Sequence, residues 1–272
     1  MSDSRNVLVT GAANGIGRRL AAELARRGNW VLAADIDTDG LSEASEDVAA
    51  RGGELATTGL DVTQPADWRE AVDRVVEQRG RLDLLVHAAA VAEGGQLIEA
   101  EPETIDQQVD VNVKGTMYGT RYVGSQMADQ RAGHIVNFGS LASLTPVPGL
   151  GIYAATKFSV RGLTLAAAQE LRPLGVDVTV VMPDNVDTDL LRKVTEADQM
   201  DIALAGAMLT VDDIAEVFFE RVLPRRPLEA AIPRVTGLLT RLATVAPEVF
   251  YLLRPILETV GASNLEAYRG SQ

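Results

Sequence analysis

Tyr153 and Lys157 stand four residues apart in Ile152-Tyr-Ala-Ala-Thr-Lys157, at the start of a predicted helix. That spacing puts a phenol and an ammonium on one helix face, about one turn apart. A phenol with its unperturbed pKa of about 10 is a poor base, and a neighbouring cation favours the phenolate. Ser140 lies 13 residues before Tyr153, directly after an apolar run, where its hydroxyl can bind a substrate oxygen beside the phenol. Tyr-x-x-x-Lys alone is common by chance. Joined to Ser140 and to a nucleotide-binding turn, it points to acid/base chemistry at a carbon-bound oxygen.

That turn is Thr10-Gly-Ala-Ala-Asn-Gly-Ile-Gly17, between a predicted strand and a predicted helix. Glycines there allow a tight turn, approach of a pyrophosphate to the backbone, and close packing of helix on strand. Free N–H groups at the helix start then bind phosphate oxygens. Asp35, 24 residues after Gly11, ends the second apolar run. A carboxylate at that tip accepts hydrogen bonds from both adenosine ribose hydroxyls and repels a 2′-phosphate. Asn14 and Ile36 offer no cation to such a phosphate, so the reading is NAD rather than NADP. Asp61 ends the third strand, where bonding to the adenine edge and a simple turn role are equally open.

The elements that must position these groups alternate. Val7–Thr10, Trp30–Ala34, Leu55–Thr58, Leu82–Val86, Ile135–Phe138, Val176–Val181 and Glu229–Ile232 read as strands. Stretches carrying Ile16, Leu20, Leu24 and Ala25, and then Trp68, Val72 and Val75, have helix-face spacing. Two long helices are expected over roughly Ile105–Asp129 and Ile152–Leu171, and another starts at Thr210-Val-Asp-Asp213 and ends before Pro224. Alternation without hairpins predicts an α/β fold: a Rossmann-type doubly wound parallel sheet of about seven strands, with ligands at the strands' carboxyl ends. This catalytic unit is expected to span 1–232, with an amphipathic helical extension over 233–272.

Residues 185–211 are rich in apolar side chains, with Leu190, Leu191, Ile202, Leu204, Met208 and Leu209, and suit a hydrophobic alcohol or ketone. In the extension, Val235, Leu238, Leu239, Leu242, Val245, Val249, Phe250, Leu253, Leu257 and Val260 are spaced for two helices broken near Pro247. Arg234, Arg241 and Arg254 stand among them. A packed extension bordering the substrate entrance is the expectation, and peripheral membrane contact is the alternative.

Composition narrows the function further. The 272-residue chain carries a formal net charge of −13, which repels a nucleic-acid polyanion. It has no cysteine and two histidines, so thiol chemistry is excluded and a metal site is not expected. No signal region or apolar span is apparent, and the cytoplasm is the expected location.

With these motifs in place, the chain resembles the short-chain dehydrogenase/reductase family, in its compact branch, over about residues 5 to 222. The resemblance rests on Thr10-Gly11-x3-Gly15-x-Gly17, Asp61-Val62, Asn112, Ser140, Tyr153-x3-Lys157 and Pro183…Thr188. It implies Tyr153 as acid/base, Ser140 polarising the substrate oxygen, Lys157 binding the nicotinamide ribose, and Asn112 holding a water of a proton relay. It also implies a cofactor set of Gly11, Asn14, Gly15, Ile16, Gly17, Asp35, Ile36, Asp61, Val62, Ala88, Tyr153, Lys157, Pro183, Val186 and Thr188. A variable substrate loop over 185–211 and a homodimer or homotetramer built on the long helices are implied too. The function that follows is hydride transfer between NAD(H) and a secondary alcohol or ketone. A short-chain epimerase or dehydratase and a non-enzymatic NAD(H)-binding regulator are the rivals.

Two positions depart from the family. His87-Ala-Ala-Ala90 replaces the usual Asn-Asn-Ala-Gly, with His87 read as a hydrogen-bonded structural residue. Asp184 replaces the glycine that usually follows Pro183. Its carboxylate either reaches the site or tolerates an unusual turn dihedral.

Overall fold

The computed structural model describes residues 4–195, 205–245 and 247–270. The chain runs β1 (Asn6–Thr10), α1 (Gly15–Arg26), β2 (Trp30–Asp35), α2 (Thr38–Ala50), β3 (Ala56–Gly59), α3 (Pro65–Arg79) and β4 (Leu84–His87). It continues with α4 (Pro102–Gln108), α5 (Gly115–Gln130), β5 (Gly133–Phe138), α6 (Gly151–Leu171) and β6 (Val176–Pro183). Then come β7 (Asn185–Val186), α7 (Asp189–Thr195), β8 (Met208–Leu209), α8 (Val211–Val217), α9 (Leu223–Arg225), β9 (Glu229–Ile232), α10 (Arg234–Val245) and α11 (Pro247–Gly270).

Seven parallel strands make the main sheet, in the order β3-β2-β1-β4-β5-β6-β9. The fold is therefore the doubly wound Rossmann type that the alternation predicts. Side chains alternate across each strand, so the apolar runs feed two cores at once. Val7 and Val9 of β1 join Leu20 and Leu24 of α1 and Phe218 on one face. Leu8 joins Trp68 of α3 and Val123 and Met127 of α5 on the other. Strand order reverses between β1 and β4, and the crevice at their carboxyl ends is where such sheets bind ligands.

The boundaries differ in instructive places. Leu82 is buried, yet its N–H goes to Gln130 Oε1 (2.9 Å), so β4 starts at Leu84 instead and extends to His87. The helix expected over Ile105–Asp129 is interrupted by a π turn over Val109–Lys114. A second π turn, Phe218–Val222, follows α8, and the helical path continues through Pro224 to Arg225 rather than stopping before it. The wider turn relaxes the register in which proline's missing N–H would matter.

The span 185–211 contains more than a loop. β7 and β8 pair in parallel, Asn185 with Met208 and Val186 with Leu209, and α7 lies between them. Ile202 and Leu204 fall outside the described residues. α10 ends at Val245 and α11 begins at Pro247. The apolar residues of α10 are not all covered: Val235, Leu238, Leu239 and Val245 are exposed, as is Val260 of α11. Leu265 and Tyr268 of α11 are instead buried against Leu191 of α7. The side chains of Leu242, Val249, Phe250, Leu253, Arg254 and Leu257 lie outside the described ones.

Candidate active site

At the carboxyl end of β1 the backbone turns so tightly that side chains are excluded. Gly11 has φ +69°, and a Cβ there would stand 2.6 Å from the Ala89 nitrogen after β4. A Cβ on Gly17 would overlap the Gly11 carbonyl oxygen, so α1 rests directly on the turn. Gly15 (φ +52°) faces the Thr188 methyl group. Asn14 occupies the N-cap position of α1 but makes no side-chain capping bond, which leaves the first-turn N–H groups available. Such a turn fits a pyrophosphate.

Around it opens a cavity of about 1160 Å³. Gly11, Asn14, Gly15, Ile16 and Gly17 line its floor, Asp35 and Ile36 the tip of β2, and Asp61 and Val62 the end beyond β3. Ala88 follows β4, and Pro183, Val186 and Thr188 follow β6. Asp35 accepts the Ala13 N–H (3.0 Å) on Oδ2 and the Asp37 N–H (3.1 Å) on Oδ1, which aims its carboxylate across the turn. Ile36 is 72% exposed beside it, an apolar surface for an adenine ring. Asp61 has a turn role in this structure, since Oδ1 accepts both the N–H and the hydroxyl of Thr63 (2.9 and 2.8 Å).

Ser140, Tyr153 and Lys157 line the same cavity. Ser140 is the N-cap of a 3₁₀ turn, Leu141–Ser143, where Ser140 Oγ accepts the Ala142 N–H (3.1 Å) and Ser143 Oγ accepts the Ser140 N–H (3.2 Å). That box fixes the hydroxyl just past β5. Tyr153 and Lys157 come from the first turns of α6. Burial pushes the Tyr153 phenol up to about 12, and its hydrogen bond with Ser140 pulls it down. Burial brings the Lys157 ammonium down to about 8, and it donates to the Phe138 carbonyl at 3.0 Å. The lowering of the phenol by Lys157, expected from spacing, is not among these influences: burial leads, and the bond with Ser140 is what opposes it.

Asn112 sits in the π turn between α4 and α5, fully buried and set back from the cavity wall. Its amide clasps the Val91 backbone, accepting the N–H (2.9 Å) and donating to the carbonyl (2.8 Å). It also donates to Thr156 Oγ1 (3.0 Å), which in turn donates to the Tyr153 carbonyl (2.7 Å). The side chain therefore links the wall after β4 to the helix carrying Tyr153 and Lys157.

His87 is hydrogen-bonded to Thr10 Oγ1 (2.6 Å) and packs edge-on against Trp68. Burial, with the Lys157 charge second, lowers its pKa to about 3, so it is neutral. Asp184 is not in the left-handed region, where Arg131 and Arg226 are the only non-glycine residues among those described. Its carboxylate bonds backbone N–H groups instead.

Several lining residues were not apparent in the sequence. Thr236, Leu239 and Thr240 of α10 form one wall, at i, i+3 and i+4. Their helical spacing was readable, but the face it turns to the cavity was not. Among the described residues no group of three or more metal-binding side chains occurs, and no helix is long and apolar enough to cross a membrane.

Comparison with known proteins agrees with this geometry. The short chain dehydrogenase family model matches residues 5–199. L-2,3-butanediol dehydrogenase of Corynebacterium glutamicum is 35% identical over 70% of this chain and 75% of its own. Cyclopentanol dehydrogenase of Comamonas testosteroni is 34% identical over 75% and 81%. A short chain dehydrogenase/reductase of Burkholderia phymatum, solved in complex with NAD, superposes with TM-score 0.81 at 28% identity, covering 91% of this chain and 95% of that one. With the sheet order, the glycine turn and the Ser140, Tyr153 and Lys157 cluster all in place, this chain belongs to the short-chain dehydrogenase/reductase family of oxidoreductases.

Proposed function

We propose that the protein interconverts a hydrophobic secondary alcohol and its ketone, using NAD(H). The observation that carries this reading is the single cavity that joins the Asp35 carboxylate at one end to Ser140, Tyr153 and Lys157 at the other. Asp35 offers two acceptor oxygens where an adenosine ribose would lie, and a 2′-phosphate there would meet its negative charge. When bound, the oxidised nicotinamide supplies a hydride acceptor and a positive charge.

The chain's own groups handle the oxygen and the proton. Ser140 donates a hydrogen bond to the substrate oxygen. The Tyr153 phenol, kept protonated by burial, gives its proton to that oxygen as a ketone is reduced; as phenolate it takes the hydroxyl proton when an alcohol is oxidised. Lys157 holds the α6 turn against the Phe138 carbonyl and presents its cation beneath the phenol. Asn112 holds α6 in place through Thr156.

The substrate half of the cavity is lined by Val147, Leu150, Leu190, Val194 and Leu239, which favours an apolar carbon skeleton. The butanediol and cyclopentanol dehydrogenases among the relatives support an alcohol as substrate class. A screen of secondary alcohols of increasing apolar size, with NAD+ and NADP+ in parallel, tests the reading by nicotinamide absorbance. Reduction of NAD+ by cyclic or aliphatic secondary alcohols is expected. Preference for NADP+ overturns the cofactor assignment, and turnover of sugars alone overturns the substrate class.

A further inference from the structure

Asp184 follows β6, where the family resemblance leads one to expect glycine, and lines the cavity together with Pro183 and Asn185. Both its oxygens are engaged by backbone: Oδ1 accepts the Asn185 N–H at 3.0 Å, and Oδ2 accepts the Ala207 N–H at 2.8 Å. Its own N–H goes to the Ile232 carbonyl at 2.8 Å, so the residue is tied to β9 as well. Ala207 stands 23 residues away, at the end of the loop where the chain returns to β8. The residue before it, Gly206, presses on the carboxylate so closely that a Cβ would overlap both oxygens.

We propose that Asp184 is a positioning residue that pins the returning segment Ala205–Leu209 to the end of β6 and thereby fixes the cavity wall that selects the substrate. A carboxylate is suited to this because it alone among small side chains offers two acceptors and no donor, so it satisfies two N–H groups at once. Burial raises its pKa while the two N–H groups pull it down. The β7–β8 ladder, with the Asp187 N–H on the Leu209 carbonyl (2.9 Å), continues the same attachment outward. Ala205 and Gly206, held this way, line the cavity. With both oxygens occupied, Asp184 shapes the pocket rather than moving a proton. Gly206 is its steric counterpart: the carboxylate leaves room for hydrogen only.

The pairing makes a sharp test by double substitution. Hydrogen exchange of the 205–210 amides, read by mass spectrometry, needs no substrate and does not depend on the proposed activity. Asp184→Gly is expected to speed exchange there by tenfold or more, while NADH binding, followed by fluorescence, changes less than threefold. Asp184→Asn keeps one acceptor but turns a donor toward an N–H, and is expected to fall between. Gly206→Ala is expected to speed exchange in the wild type and to add nothing in the Asp184→Gly background. For an alcohol that the wild type oxidises, such as cyclopentanol, KM should rise by more than kcat falls in each single variant. Unchanged 205–210 exchange in both Asp184→Gly and Asp184→Asn overturns the proposal. So does an equal effect of Gly206→Ala with and without the carboxylate. If Asp184→Gly does not fold, Asp184→Asn decides: faster 205–210 exchange supports the pin, and wild-type exchange removes it. Absence of alcohol turnover in the wild type would sink the functional reading alone, leaving the exchange result to judge the pin.

Discussion

The Lys157 ammonium lies 5.5 Å from the centre of the Tyr153 ring while giving its hydrogen bond to the Phe138 carbonyl, 3.0 Å away. One cation therefore faces the phenol and also ties α6 to the last residue of β5, two positions before Ser140. Removing either partner should have different consequences. Tyr153→Phe should bind NADH almost normally and lose turnover by about two orders of magnitude or more, the size of one acid/base contribution. Lys157→Met should damage turnover and NADH binding together. Stopped-flow turnover and NADH fluorescence separate the two patterns, and an active Tyr153→Phe variant would take Tyr153 out of the mechanism.

On the proposed reading, cofactor choice rests on Asp35. Asp35→Ala removes an acceptor for two ribose hydroxyls and a charge that opposes a 2′-phosphate. Loss of a hydrogen bond to a charged group is worth about 1.5–3 kcal/mol, roughly tenfold or more in affinity. NAD+ affinity should fall by that factor and discrimination against NADP+ should narrow. Titration of the variant with both nucleotides checks it.

These groups were legible in the sequence because each is marked by local pattern: a glycine turn after an apolar run, a carboxylate at a strand tip, a phenol and an amine one turn apart. The structure brings all of them except Asn112 to one cavity wall. Other features depend on tertiary burial or on partners distant in sequence, which no local window contains. The upward shift of Tyr153 comes from the walls around it, and Asp184 finds Ala207 only after the loop has returned. The π turn that buries Asn112 has no composition of its own, since Val109–Lys114 reads as ordinary helix. The exposed apolar side of α10 was expected to be covered, because helical periodicity marks a face without saying what lies opposite.

Acid stability should follow the two buried histidines. Burial is the first cause of the low pKa of each, about 3, with Lys157 acting second on His87 and Arg226 second on His134. Thr179 donates to the Pro227 carbonyl, so it accepts the proton of His134 Nε2, and the neutral ring fits its site. Between pH 6.5 and about 3 the unfolded chain binds these protons and the folded chain does not, so stability is lost as pH falls through that window. Each histidine should contribute a slope of about 1.4 kcal/mol per pH unit. Urea denaturation from pH 6.5 to 4.5 should show the slope reduced by one such increment in His134→Gln. An unaltered slope would mean that the ring titrates normally.

The last helix docks on α7 and on the turn before it. Tyr268 donates to Asp187 Oδ1 at 2.8 Å, and Leu265 is buried against Leu191 of α7. Tyr268→Phe should cost about 1 kcal/mol, the net worth of one hydrogen bond, and Leu265→Ala about 2 kcal/mol or somewhat more. Both are read by chemical denaturation. Wild-type stability in Leu265→Ala would show that α11 docks elsewhere.

The cavity draws its walls from Gly11 at one end of the sequence to Thr240 near the other. During synthesis, then, the glycine turn emerges early, but the cavity is closed only when α10, near the end of the chain, has left the ribosome and docked. Binding to that finished site selects the fully assembled state over every partial one, and adds stability in proportion to the logarithm of nucleotide concentration over its dissociation constant. Chains truncated before α10 lack one wall of the cavity, and an added dinucleotide should therefore stabilise them less than the full chain.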